Sequence, residues 1–78
     1  MNIGQRIAHL RKRKGIQQCF LAKQLHRTPQ WLSNIERGER QIGTQELAQV
    51  AKLLGVEPGI FFVDQLDEAL SDADPQSA

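Results

Sequence analysis

Residues 25–36 of this 78-residue chain read LHRTPQWLSNIE, and this stretch decides the fold. Two apolar-patterned segments are separated here by about four residues around Thr28 and Pro29. Thr28 is a good helix N-cap because its hydroxyl can accept a hydrogen bond from an early backbone N–H. Pro29 suits the first helical position, where a missing N–H costs nothing. The stretch therefore predicts that one helix ends near His26 and that another runs from Pro29 to about Arg37.

The preceding sequence has the spacing of two short amphipathic helices. Apolar residues recur at intervals of three and four from the start of the chain, which predicts a first helix over residues 2–14 that ends before Gly15. A second helix begins near Gln17. No glycine marks its end, so either His26 or Arg27 has to adopt a left-handed conformation, which histidine tolerates better than most residues.

After the third helix, a loop leads to Thr44, the expected N-cap of a fourth helix that ends at Gly55. Pro58 is expected at the first position of a short fifth helix. With no convincing strand pattern, the sequence predicts an all-α fold, a compact bundle of five short helices. Residues 1–66 are expected to form one domain. Residues 67–78 form an acidic tail that can be part-helical before it becomes disordered.

Size and composition limit the classes of protein to which this chain can belong. A chain this short buries only about 60% of the surface that its unfolded form exposes, so dimerisation would stabilise it. The lone Cys19 cannot form an internal disulfide, and no Cys/His spacing suits zinc, so we expect no metal and no cofactor. No apolar run approaches the ~20 residues that span a bilayer. These features are typical of a cytoplasmic protein without membrane contact.

Charge is divided unevenly along the chain. Residues 1–40 hold nine lysines and arginines against two acidic residues, whereas residues 41–78 hold one lysine against seven acidic residues. Such asymmetry favours contact between the first half and a polyanion. A solvated dipolar surface is the alternative, and charge alone does not separate the two.

The third helix has a small apolar side, Leu32 and Ile35, and a large polar one. Glutamine and asparagine side chains can pair bidentately with adenine, and serine can bond to bases or phosphates. An α-helix fits the major groove of DNA and reads bases mainly from its N-terminal residues. Ordinary solvated positions of a small bundle would show the same polar pattern, so a second observation is needed.

Residues 15–38 resemble the helix-turn-helix of the lambda-repressor-like (Cro/xenobiotic-response-element) family of transcription regulators. The family pattern is R-x-x-x-G-h-[ST]-Q-x-x-L-A, a short turn, and x-x-h-[ST]-x-[IWL]-E-x-G, where h is apolar. The matching residues are Arg11, Gly15, Gln18, Leu21, Ala22, Leu32, Ser33, Ile35, Glu36 and Gly38. The resemblance covers about residues 3–63. It implies a sequence-specific regulator that binds double-stranded DNA, a repressor acting as a homodimer on a palindromic operator.

The resemblance also implies roles for individual residues. Gln18 is expected to touch a phosphate and to support the third helix. The recognition positions are Thr28, Pro29, Gln30, Ser33 and Asn34. Trp31 and Arg37 stand where the family often contacts the DNA backbone, and Arg40 is expected to add to phosphate affinity. Because a proline ring cannot hydrogen-bond to a base edge, base discrimination rests mostly on Gln30 and Asn34.

Two further roles are structural. Arg11 and Glu36 occupy positions that commonly form a partly buried ion pair between the first helix and the end of the third. The candidates for a dimer interface are Ile60, Phe61, Phe62 and Leu66, for which an intramolecular core is the alternative.

Some residues depart from the family pattern: His26 and Arg27 at the turn, and Cys19 and Phe20 in the second helix. We expect Phe20 to fold back onto the core rather than to bind a partner, and Cys19 to be an inert small side chain rather than a redox sensor.

Two other functions are alternatives to DNA regulation. An antitoxin that neutralises a partner protein is the first alternative, because the acidic second half would suit a protein partner. An enzyme is the second, and we expect none, because the sequence holds no nucleophile–base pair, no paired carboxylates in a plausible pocket and no phosphate loop.

Overall fold

The chain folds into four short α-helices followed by a 3₁₀ helix. The structure, a computed structural model, describes residues 2–62. The elements are α1 (Ile3–Arg13), α2 (Gln18–Gln24), α3 (Pro29–Glu36), α4 (Thr44–Leu54) and the 3₁₀ helix (Pro58–Phe62). Residues 2–62 contain no strand, so the predicted all-α class is confirmed for this part of the chain. None of its helices is long and apolar enough to cross a membrane.

The prediction of five α-helices is wrong, because the last element is a 3₁₀ helix of only five residues. Its first residue, Pro58, lacks a backbone N–H, and Gly59 has a poor helix propensity. The bond from the Ile60 N–H to the Glu57 carbonyl, 3.0 Å long, spans three residues as 3₁₀ geometry requires. The predicted domain end at residue 66 and the tail at 67–78 lie outside the described residues.

The start of α3 is as predicted, and the start of α4 is not. The hydroxyl of Thr28 accepts from the Trp31 N–H at 3.1 Å, and Pro29 is the first helical residue. At α4 the N-cap is Gly43, not Thr44. The backbone already satisfies the first helical bond there, because the Leu47 N–H donates to the Gly43 carbonyl at 2.9 Å. Thr44 is therefore inside the helix.

The turn between α2 and α3 is closed by a residue in the left-handed region. His26 has φ 59°, and it is the one non-glycine residue of positive φ in the described chain. Its N–H donates to the Lys23 carbonyl at 3.0 Å, and the Arg27 N–H donates to the Ala22 carbonyl at 2.9 Å. This pair of bonds is a Schellman motif, which normally uses glycine. Of the two residues that the sequence offered for this conformation, His26 is the correct one.

The core lies between one apolar face of each helix. Its members are Ile7, Leu10, Leu21, Ala22, Leu25, Trp31, Leu32, Ile35, Leu47, Val50, Ala51, Leu54 and Phe61. Phe61 is fully buried, as the intramolecular alternative for this residue expects, and its place in a dimer interface stays a prediction. The Arg6 Nη1 donates to the Phe61 carbonyl at 2.5 Å and so fastens the 3₁₀ helix to α1.

Phe20 does not fold back onto this core. It is 54% exposed, so the preference for a core role was wrong. Phe20 is exposed because of its position around the helix axis, where successive residues are about 100° apart. The inner face of the seven-residue α2 is occupied by Leu21 and Ala22, which directs Phe20 away from it.

Helices α1 and α3 touch through their backbones. A Cβ atom added at Gly4 would lie 1.8 Å from the Ile35 carbonyl oxygen. Only a residue without a side chain allows this approach, which the sequence pattern did not reveal. The contact sets the position of α3 relative to α1.

Candidate nucleic-acid interface

The C-terminal end of α3 is held by a buried ion pair. Arg11 of α1 donates from Nε to Glu36 Oε2 at 2.8 Å and from Nη2 to Oε1 at 3.0 Å. Its Nη1 donates to the Ile16 carbonyl at 2.8 Å. The side chains of Arg11 and Glu36 are 10% and 7% exposed. This bidentate pairing joins α1 to α3 at the positions that the sequence suggested for a structural ion pair.

Gln18 joins the same cluster from α2. Its Nε2 donates to Glu36 Oε1 at 2.9 Å, so a single carboxylate binds side chains of both preceding helices. The predicted support of the third helix by Gln18 takes the form of this bond. The predicted phosphate contact of Gln18 stays a prediction.

The opposite face of α3 is polar and accessible to solvent. Trp31, Leu32 and Ile35 form the buried side of this eight-residue helix. The accessible side holds four of the predicted recognition residues: Pro29 and Gln30, which are exposed, and Ser33 and Asn34, which are half-buried. The helix therefore presents amide and hydroxyl groups on one surface, and these are the groups that can bond to base edges.

The polar side chains of this face are bonded to one another. Gln30 Nε2 donates to Asn34 Oδ1 at 2.9 Å. Arg37 donates from Nη2 to Asn34 Oδ1 at 2.7 Å and to Glu39 Oε1 at 3.2 Å, and from Nη1 to Ser33 Oγ. Arg37, predicted to contact the DNA backbone, thus directs its guanidinium at neighbours on the helix. We call these five residues the α3 polar network.

Trp31 was predicted to contact the DNA backbone, which stays a prediction, and the structure places most of its side chain inside the core. The ring is only 8% exposed and belongs to the core. The Arg27 guanidinium lies 4.7 Å from the centroid of the ring, a cation–π distance. Trp31 therefore serves as a platform for a basic side chain.

Arg27 was noted in the sequence only as a departure from the family pattern. Its Nε donates to Glu46 Oε2 at 2.8 Å, which connects the turn after α2 to α4. Nothing in the local sequence signals this contact, because the two residues are 19 positions apart. The pair is partly solvated, with side-chain exposures of 41% and 25%.

An open cleft of about 670 Å³ runs along the N-terminal side of α3. Its lining residues are His26, Arg27, Thr28, Gln30, Trp31, Asn34 and Arg40. The cleft brings five predicted DNA contacts together with His26 and Arg27, which the sequence did not assign to the site. The three basic side chains, His26, Arg27 and Arg40, lie beside amide groups. This combination suits a polyanion such as a nucleic acid, whose bases also carry hydrogen-bonding groups.

Comparison with known proteins shows to which family this arrangement of helices belongs. Residues 2–59 match the sequence model of the helix-turn-helix domain family, over nearly all of the described chain. The chain belongs to the helix-turn-helix domain family. In this family the turn closed by His26 joins the two helices of the motif, α2 and α3.

Relatives of known sequence carry the same domain. The chain is 34% identical over 71 residues to an uncharacterized HTH-type transcriptional regulator, y4wC, of Sinorhizobium fredii, covering 91% of this chain and 50% of that protein. It is 32% identical over 68 residues to the HTH-type transcriptional regulator RamB of Mycobacterium tuberculosis, covering 87% of this chain and 14% of RamB. The chain thus spans half or less of these relatives. No solved structure matches it.

A second surface lies around the 3₁₀ helix of this helix-turn-helix domain. Phe62 is 64% exposed and Ile60 is half-buried, while the fourth interface candidate, Leu66, lies outside the described residues. Phe62 lines a cleft of about 590 Å³ together with Ile3, Ile42 and the buried Arg6. The cleft also holds the polar side chains of Asn2, Arg40 and Gln41, so this surface combines an exposed aromatic ring with polar groups.

The described residues do not contain a cluster of metal-binding side chains. Within residues 2–62, no three His, Cys, Asp or Glu side chains stand close enough to hold a metal ion. Cys19 is an exposed free cysteine.

Proposed function

We propose that this chain is a sequence-specific double-stranded DNA-binding domain of a transcription regulator of the lambda-repressor-like type. The polar face of α3 enters the major groove, with Gln30, Ser33 and Asn34 at the base edges. The observation that carries this proposal is the geometry of α3. One side of the helix is fixed by the buried Arg11–Glu36 pair, and the other presents amide groups between basic side chains.

The electrostatic part of the proposal rests on the residues around α3. Arg40 is exposed and lines the cleft along the helix, and Arg27 lines it from the turn. Phosphate contacts of such side chains position a protein on DNA without reading sequence. Gln18 and Thr28 add polar groups near helix N-termini, where backbone N–H groups favour phosphate.

Selection from a randomised duplex library, followed by measured binding at several salt concentrations, tests the proposal. We expect an enriched motif and an affinity that falls with salt at a log–log slope of about −0.9 per neutralised phosphate. Binding without base preference, or affinity that does not change between low and moderate salt, would contradict it.

A matched pair of charge substitutions locates the interface. Arg40→Gln should weaken binding to the selected site and to random DNA alike, and should make the salt slope less steep by about one phosphate contact. Lys52→Gln removes an exposed cation from α4, far along the chain from α3. It should leave the DNA affinity and the salt slope unchanged. Equal losses in the two variants would show that binding follows overall charge rather than this surface.

We further propose that the domain acts as a homodimer on a palindromic operator and represses transcription. The exposed Phe62 and half-buried Ile60 beside an open cleft support a second copy as the partner. Two copies would place two α3 helices about one helical turn of DNA apart. The relatives named as transcriptional regulators favour this function over the antitoxin alternative, and membership of the family favours a binding domain over an enzyme.

Two exposed phenylalanines allow a controlled test of the dimer. Sedimentation equilibrium at micromolar concentration should show a dimer, which Phe62→Ser dissociates and Phe20→Ser does not. Phe20 is a fair control because the two rings have similar exposure, 54% and 64%. A strictly monomeric wild type, or equal effects of the two substitutions, would remove the dimer from the proposal.

A further inference from the structure

We propose that Arg37 is a positioning residue that fixes the Asn34 amide so that it offers DNA only hydrogen-bond donors. This inference rests on the proposed function and assigns base-reading roles within it. Gln30 is then the residue on α3 that can pair bidentately with adenine, while Asn34 reads guanine O6 or thymine O4, the acceptors that stand where adenine carries its N6 donor.

The argument begins with the carbonyl oxygen of Asn34. An amide oxygen has two lone pairs, and here both have partners. Gln30 Nε2 donates to Asn34 Oδ1 at 2.9 Å, and Arg37 Nη2 donates to the same atom at 2.7 Å. Bidentate pairing with adenine needs that oxygen as an acceptor of the adenine N6 amino group. Asn34 cannot make this pairing while Oδ1 is occupied twice.

The same bonds determine which way the amide faces. With Oδ1 directed at Arg37 and Gln30, the Nδ2 group of Asn34 takes the other side of the amide plane. Within residues 2–62 the structure gives Asn34 Nδ2 and Gln30 Oε1 no hydrogen-bond partner, so both groups are available. Along α3, Gln30 therefore presents its Oε1 acceptor and the second N–H of its Nε2 group. One helical turn later, Asn34 presents only the N–H donors of its Nδ2 group.

Arg37 can maintain the orientation of the Asn34 amide because its guanidinium group is also bonded to other side chains. Besides Asn34, it donates to Ser33 Oγ and to Glu39 Oε1, the latter at 3.2 Å. The planar guanidinium holds several acceptors at set angles, and an ammonium group does not. Arg37 is therefore committed to the α3 polar network, which distinguishes it from Arg40, whose position suits a phosphate contact.

Base-substituted operator duplexes test the assignment. After the preferred site is selected with the wild-type protein, Asn34→Ala identifies the base pair whose preference depends on Asn34. We expect the wild type to prefer guanine or thymine over adenine there. Arg37→Met removes the guanidinium donor and keeps the aliphatic part of the side chain. It should lower the preference for guanine or thymine over adenine by about fivefold or more, which is the discrimination that one well-placed contact supplies. Arg37→Lys should restore part of it.

The control is Arg40→Met, which removes one charge from the same surface. It should lower affinity for all duplexes equally and leave the ratios between bases unchanged. In the double variant Arg37→Met/Asn34→Ala, the preference at that base pair should equal that of Asn34→Ala alone, because Arg37 acts there through Asn34.

Two results would overturn the assignment: an adenine preference of the wild type at the Asn34-dependent base pair, or unchanged base ratios in Arg37→Met. Both leave sequence-specific binding intact. A wild-type protein that selects no motif at all is a different result, which removes the proposed function and this inference with it.

Discussion

Glu36 and Arg37 are neighbours in sequence, yet they serve opposite sides of α3. Glu36 points inward, where its 7% exposed carboxylate binds Arg11 and Gln18. Arg37 points outward, where its half-exposed guanidinium binds Ser33 and Asn34. One polar cluster sets where the helix lies, and the other sets what the helix presents. The difference in burial teaches that similar ion-pair chemistry can support either the fold or the recognition surface.

The largest expected effect is on the buried cluster. Arg11→Ala or Glu36→Ala should each lower the free energy of unfolding by about 3–5 kcal/mol, because each leaves a buried charge without its partner. Denaturant unfolding followed by circular dichroism measures this. The double variant should lose clearly less than the sum of the two losses. Strict additivity would mean that the two residues do not stabilise each other.

A smaller effect is expected from the third member of that cluster. Gln18→Ala removes a hydrogen bond to a charged acceptor and should cost about 1.5–3 kcal/mol in the same unfolding experiment. Gln17→Ala is the matched control, since Gln17 is exposed and makes no side-chain cap bond. A loss of stability no greater in Gln18→Ala than in Gln17→Ala would remove Gln18 from the support of α3.

The smallest stability effect belongs to the outward cluster. Arg37→Ala and Glu39→Ala break an ion pair whose side chains are 50% and 62% exposed. Each should change the free energy of unfolding by less than about 1 kcal/mol, because solvent screens such pairs. The comparison of the two clusters predicts that Arg37→Ala nevertheless alters DNA base preference. A large loss of stability would show that Arg37 supports the fold as well.

Sequence reasoning located α3 because the signals for it are local. Thr28, Pro29 and the spacing of Leu32 and Ile35 fix the start and the buried face of the helix within a few residues of chain. The left-handed turn was also predictable, since the absence of glycine left only His26 or Arg27 to adopt it. The family resemblance supplied the long-range pairing of Arg11 with Glu36, which no local rule contains.

The errors fall where tertiary packing decides. The family resemblance assigned Trp31 to the DNA surface, and Phe61 was left open between a dimer interface and the core; the small core takes both of them. The opposite happened at Phe20, which stays exposed because it lies on the side of α2 away from the buried Leu21 and Ala22. The contact of Arg27 with Glu46 depends on where α4 packs, which a linear pattern does not show.

The backbone contact at Gly4 has a consequence for how this domain meets different DNA sites. With no side chain between α1 and the Ile35 carbonyl, there is no compressible layer that would let α3 tilt or slide. If α3 binds DNA as proposed, substitutions at Gln30 or Asn34 should change base preference without moving the helix that carries them. Accommodation to an imperfect site would then fall on the duplex, through groove width and bending, whose energetic cost depends on base steps that the protein never touches.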